Sequence, residues 1–155
     1  MTDKIITAWN FSNTDKNLLS PNKEYRIEYG ILNEIAMGAP LGGISYLTFK
    51  DKIVTINDWT AGPVLWSDNS QKVALPIWSE NRKQKILIVD VNTLLATLYK
   101  KKFRVLHFES FIDDHLKGID SPLYNPEILD FNLNSQEVAE IQNLYPIQRK
   151  AISRN

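Results

Sequence analysis

Apolar and polar side chains alternate along YRIEYGIL, residues 25 to 32, with Tyr25, Ile27 and Tyr29 set against Arg26, Glu28 and Gly30. A period of two puts one face inward and one in water, so this segment is expected to be a half-buried strand. Further β-branched and aromatic runs follow between Gly, Pro, Asn and Asp: GISYLTF (43 to 49), KIVTI (52 to 56), PVLW (63 to 66), KVALPIW (72 to 78), KILIVDV (85 to 91) and FRVLHF (103 to 108). ILIVDV is apolar almost throughout, which predicts a central strand covered on both faces. The short polar link at Lys50, Asp51 and Lys52 joins its flanking strands as antiparallel neighbours, and links of this kind favour meanders over βαβ crossovers.

The last third carries a different pattern. Asn134, Ser135, Gln136 and Glu137 read as a capping box, with Asn134 as N-cap and Glu137 at the third helical position. Val138, Ile141, Leu144 and Tyr145 then share one face of a helix predicted from about Ser135 to Tyr145, ending before Pro146. A shorter helical turn is expected around SFIDDHLKG, ended by Gly118. The expected fold is therefore mainly β, an antiparallel meander, sandwich or partly open barrel with a C-terminal α-helix, in a single domain over residues 1 to 155.

Two turns echo one another. SDNSQKVA, residues 67 to 74, and SPNKEYRI, residues 20 to 27, each begin a turn with Ser, place Asn two residues on, and lead into a strand, 47 residues apart. Trp66, Ser67, Asp68, Asn69, Ser70, Gln71, Lys72, Val73 and Ala74 resemble the Trp-Ser-Pro-Asp-Gly-Lys-Lys-Ile-Ala repeat of the Tol-system and prolyl-oligopeptidase type of β-propeller. The resemblance implies that KILIVDV is the second strand of a blade. Asp68 replaces the Pro, Ser70 replaces the Gly, and the earlier copy lacks the Trp. Propellers close with about four to eight blades, so the two this chain could hold make no propeller. Either the echo is an ordinary polar turn used twice, or it marks a duplicated four-stranded meander whose sheets pack face to face or curl toward a barrel.

Composition removes whole classes of chemistry. With 155 residues, 43% of them apolar, the chain has side chains for one core. The absence of cysteine excludes disulfides, thiolate metal sites and a cysteine nucleophile. No run approaches the roughly 20 apolar residues of a membrane span, and the first residues lack a signal-peptide core, so a soluble cytoplasmic protein is expected. His107 and His115 are the two histidines, and a metal or catalytic site would need Glu109, Asp113 or Asp114 beside them. His107 in VLHF reads as a strand residue, and the adjacent Asp113, Asp114 and His115 point in different directions. GAPLGG, residues 38 to 43, lacks phosphate-loop spacing and reads as a strand connection. No cofactor and no metal are expected. Trp66 is expected in the core, whereas Trp59 and Trp78 stand where an indole serves either the core or a partner interface.

The charges sum to zero, 18 against 18, but they are divided along the chain. Residues 81 to 108 carry seven basic residues against Asp90, a net of +6, and residues 109 to 140 carry eight acids against Lys117, a net of −7. These blocks either neutralise each other or face partners. KKKFR, residues 100 to 104, is a weak nucleic-acid signal in a neutral protein. The favoured expectation is a small non-enzymatic protein-binding protein whose acidic third, with Asp113, Asp114 and Asp120, and whose Trp59 and Trp78 meet a basic protein partner. One concrete form, by analogy, is a bacterial immunity protein neutralising a basic toxin domain. The alternative is a small enzyme or ligand binder whose pocket joins His107, Glu109, Asp113 and His115. An open sheet edge would need covering, and a homodimer is one way to cover it.

Overall fold

The computed structural model describes residues 4 to 148. Among these described residues thirteen strands run β1 (Arg26–Tyr29), β2 (Asn33–Glu34), β3 (Leu41–Phe49), β4 (Lys52–Thr60), β5 (Leu65–Trp66), β6 (Lys72–Trp78), β7 (Gln84–Asp90), β8 (Leu95–Tyr99), β9 (Leu106–Ile112), β10 (His115–Asp120), β11 (Glu127–Asn132), β12 (Val138–Asn143) and β13 (Ile147–Gln148). All pairings are antiparallel. Ten strands form one hydrogen-bonded network in the order β1-β3-β4-β6-β7-β8-β12, with β2, β5 and β13 attached at its sides, and β9, β10 and β11 form a separate sheet.

The large network behaves as two leaves, because β4 and β6 meet at a single pair, Thr60 with Ile77. Pro76 lies next along β6, and its carbonyl accepts the Ala61 N–H. N–H and C=O of one strand residue point to the same side, so the N–H that proline lacks would have faced that junction, and no further rung can form there. The first leaf and the second then pack face to face. Ile27, Tyr29, Leu47, Val54 and Ile56 meet Val73, Leu75, Ile77, Leu87 and Val89 in one core. The alternate residues of β6 and β7, Ala74, Ile86 and Ile88, face the third sheet and join Leu106, Phe108, Leu116, Leu129 and Phe131 in a second core. ILIVDV is the central, doubly covered strand that its apolar run predicts.

The two echoing turns have one hydrogen-bond pattern. Ser20 N–H donates to the Tyr25 carbonyl, the Ser20 hydroxyl donates to Asn22 Oδ1 and accepts the Tyr25 N–H, and Asn22 Oδ1 accepts the Glu24 N–H. Ser67, Asn69, Gln71 and Lys72 repeat each bond in register. The turns also touch, since Asn22 N–H donates to the Ser70 hydroxyl. Both serines are buried and each hydroxyl serves two bonds, so Ser20→Ala and Ser67→Ala should each cost about 1–3 kcal/mol, matched to one another, in urea unfolding.

No α-helix forms over Ser135 to Tyr145. Asn132, not Asn134, supplies a cap: its side chain accepts the Asn134 N–H at the start of a short 3-10 turn, Leu133–Ser135. Val138–Asn143 then adds to the outer edge of β8 as strand β12. Val138, Ile141 and Tyr145, the residues of the expected apolar face, are exposed, and Leu144 alone enters the core. A helix there would have no surface to cover, whereas β-branched Val138 and Ile141 suit a strand and the edge of β8 offers unpaired backbone groups. The turn expected around SFIDDHLKG is likewise a hairpin between β9 and β10. Asp113 and Asp114 have φ of 49° and 60°, the pattern of a type I′ turn, which short polar side chains tolerate. Among the described residues, no helix is long and apolar enough to cross a membrane.

Candidate functional site

Turns from two sheets converge at one end of the stack and enclose a polar cleft of about 460 Å³. The turn before β6 supplies Ser67, Asn69 and Gln71, with Lys72 at the start of the strand; the β7–β8 turn supplies Asp90 and Asn92; the β9–β10 hairpin supplies Asp113 and Asp114 over a floor of Phe111. Local bonding explains why these segments hold their shape. Asp90 accepts the Asn92 and Thr93 N–H groups, closing an Asx turn. The Asn92 side-chain amide donates to Gln71 Oε1, and Val91 N–H donates to the Gln71 carbonyl. Asp68 N–H donates to the Phe111 carbonyl, tying the second leaf to the third sheet.

Among the described residues, three carboxylates, Asp90, Asp113 and Asp114, border this cleft against a single cation, Lys72. Lys72 Nζ lies 2.7 Å from Asp114, and both side chains are partly exposed. Asp113 is exposed and has no ion pair among the described residues. The field of Asp114 reaches into the second core: burial first, and then the Asp114 charge, raise the Tyr99 phenol above its ordinary value. The cleft can therefore receive a cationic or polyhydroxylic group, with amide and carboxylate oxygens as acceptors.

The other expected site residues are scattered. Asp120 Oδ1 accepts the N–H groups of Arg104 and Val105, which ties β10 to the chain entering β9. Trp78 is 6% exposed and its indole N–H donates to the Leu41 carbonyl, so it packs as core. Trp59 is 41% exposed on β4 of the first leaf, away from the acidic hairpin. His107 lies opposite Ile119, and His115 pairs across the sheet with Ile112 and Asn132. Four residues of β10 separate those positions, about 13 Å at strand rise. His115 instead bonds Asp130 on β11. The pocket of His107, Glu109, Asp113 and His115 is thus not assembled, and among the described residues no group of His, Asp and Glu side chains is gathered to hold a metal ion.

The two charge blocks neutralise each other in part. Lys100 pairs with Glu137 at 2.5 Å and Arg104 approaches Glu127 at 3.8 Å. The Lys100 hydrogen bond, followed by its charge, lowers Glu137 from the ordinary carboxylate range. Lys102 approaches Glu80, Lys101 lies over the Phe103 ring, and Phe103 is buried, so the KKKFR cluster offers no free aromatic face for stacking on bases. The acidic side keeps a surplus, since Leu106 to Asn132 holds six acids against Lys117.

Sequence reading did not single out Asn69, Gln71, Asp90 and Asn92 as site residues. Their polar character was visible, but nothing in the chain order indicates that three turns meet. Comparison of the chain with family models, with curated proteins and with solved structures finds no match.

Proposed function

We propose that this protein is a small non-enzymatic binding protein that meets a basic protein partner through the acidic surface of the third sheet and the adjoining cleft. The observation that carries this reading is the surplus of carboxylates around an open cleft, with Asp113 beside it and without an ion pair among the described residues. Carboxylates held on short turns meet a Lys or Arg side chain with little ordering cost, and the acidic field steers association. A bacterial immunity protein acting in the cytoplasm on a basic toxin domain is the specific form of this proposal. The paired serine turns support a further reading of the two leaves as copies of one meander, as in the propeller repeat their sequence resembles.

A second reading has the cleft itself in its favour. Its size suits a small polar ligand such as a sugar, which amide and carboxylate acceptors would hold.

One experiment separates the two. Capture of a basic protein by the wild type should weaken with salt, and Asp90→Asn with Asp113→Asn should lower affinity by roughly tenfold, two exposed ion pairs being worth about 0.2–1 kcal/mol each. Asn keeps the shape and the turn bonds, so folding is preserved. Salt-independent binding of the partner, unchanged by both substitutions, would refute the acidic-surface reading, and saturable sugar binding that Asp90→Asn and Asp113→Asn weaken would support the second.

A further inference from the structure

The third sheet ends on a bare strand. β11 pairs with β10 on one side, and among the described residues no backbone group bonds its other side. Leu129 and Phe131 point into the core, so Ile128, Asp130 and Asn132 lie on the outer face, and Ile128 is 90% exposed. Unpaired strand edges are templates for pairing, and proteins ordinarily blunt them with charge, bulges or cover. Here the strand is six residues long, its bulge lies a strand away between β9 and β10, and its charges are all acidic.

We propose, resting on the acidic-surface reading above, that β11 receives an extended basic segment of the partner protein by strand addition. A second copy of this chain fits less well, because β11 holds no base of its own: in the antiparallel register centred on Asp130 the two Asp130 side chains stand opposed, where like charges repel, and no register within β11 gives its acids a cationic partner. A segment with a Lys or Arg opposite Asp130 turns that repulsion into attraction. Two neighbours already moderate the acids: Arg104 approaches Glu127 from the chain before β9, and His115 bonds Asp130 from β10. Glu127 and Asp130 remain more than half exposed even so, and each can take a second donor. Ile128 and Asp130 are two residues apart on one face, which sets the recognised pattern: a β-branched apolar residue and a base, also two apart, with the backbone of both bonded along the edge.

The test uses the whole protein and a short synthetic peptide that alternates Val and Lys at every second position between threonines, beside the same peptide N-methylated on every backbone amide, so that neither edge keeps a donor. N-methylation keeps charge and side chains but removes ladder donors. Strand addition predicts that the unmodified peptide slows hydrogen exchange at the outward N–H groups of β11 by at least about tenfold and that N-methylation weakens its binding by a similar factor. Asp130→Lys should weaken binding of the lysine peptide and strengthen binding of its glutamate counterpart. Equal binding of the two lysine peptides, or protection at the cleft without protection of β11, overturns strand addition and leaves the acidic-surface reading intact. No binding at low salt also overturns strand addition, and partner capture then judges the acidic surface separately.

Discussion

Phe131→Ala is expected to destabilise the protein by about 3–5 kcal/mol, a large share of the 5–15 kcal/mol typical of a domain. Phe131 is 1% exposed and sits where β11 meets the second leaf. Its ring stands edge-on to Tyr99 at 5.1 Å between centroids, and Phe103 lies at 6.2 Å, so truncation removes two aromatic contacts as well as volume. Neighbours on two separate sheets cannot both close inward to fill the space. In urea, with a slope of about 1–3 kcal/mol per molar, the midpoint should fall by about 2 M, and Phe131→Leu should lose less than half as much. A midpoint shift of a few tenths molar for Phe131→Ala would show that the third sheet is not docked as described. The variant also bears on binding, because β11 is held flat from beneath by this ring.

Gly118→Ala is the second large effect. Gly118 lies on β10 at the bulge where the register with β9 shifts between Lys117 and Gly118. A Cβ there would stand 2.2 Å from the His107 carbonyl oxygen and 2.9 Å from the Phe108 Cα. Both are backbone atoms of the neighbouring strand, so no rotamer change relieves the clash, and β9 must separate from β10. The expected cost is about 3 kcal/mol or more, at the upper end of overpacking effects. Loss of the bulge would also turn Glu109 and Ser110 relative to the sheet. Thermal unfolding of the variant measures the cost, and a melting temperature within a degree of wild type would contradict the close approach. The sequence assigned this glycine to the end of a helical turn; its real reason is the proximity of another strand, which no local pattern reports.

Local grammar read much of the molecule correctly. β6 runs Lys72–Trp78 as its apolar run indicated, and β7 begins and ends one residue earlier than KILIVDV. FRVLHF was placed too early: Phe103 makes an isolated bridge to Gln84, and β9 begins at Leu106. Six of the described strands lie outside the expected runs: β2 and β13 are two-residue pairings, and β8, β10, β11 and β12 have mixed patterns with Thr, Lys, Gly, Asp and Gln among the apolar residues. Their strand character comes from the backbone of a neighbour and not from a period of their own. Of the expected contact residues, Asp113 and Asp114 border the cleft, while Trp59, Trp78 and Asp120 have separate surroundings.

Residue chemistry acting over a few positions was enough for an antiparallel β protein, a doubly covered strand at ILIVDV and two serine turns of one design, because side-chain period and turn bonding are local properties. The path of residues 133 to 145 was not of that kind. Val138, Ile141 and Leu144 have the spacing of three that a helix would place on one face, and the free edge of β8, some forty residues earlier in the chain, settles the matter by offering backbone partners that a helix would leave unused. The cleft is not local either. Asp90, Asn69 and Asp113 come from three turns that meet because two cores, shared across the faces of β6 and β7, stack the sheets with those turns at one end.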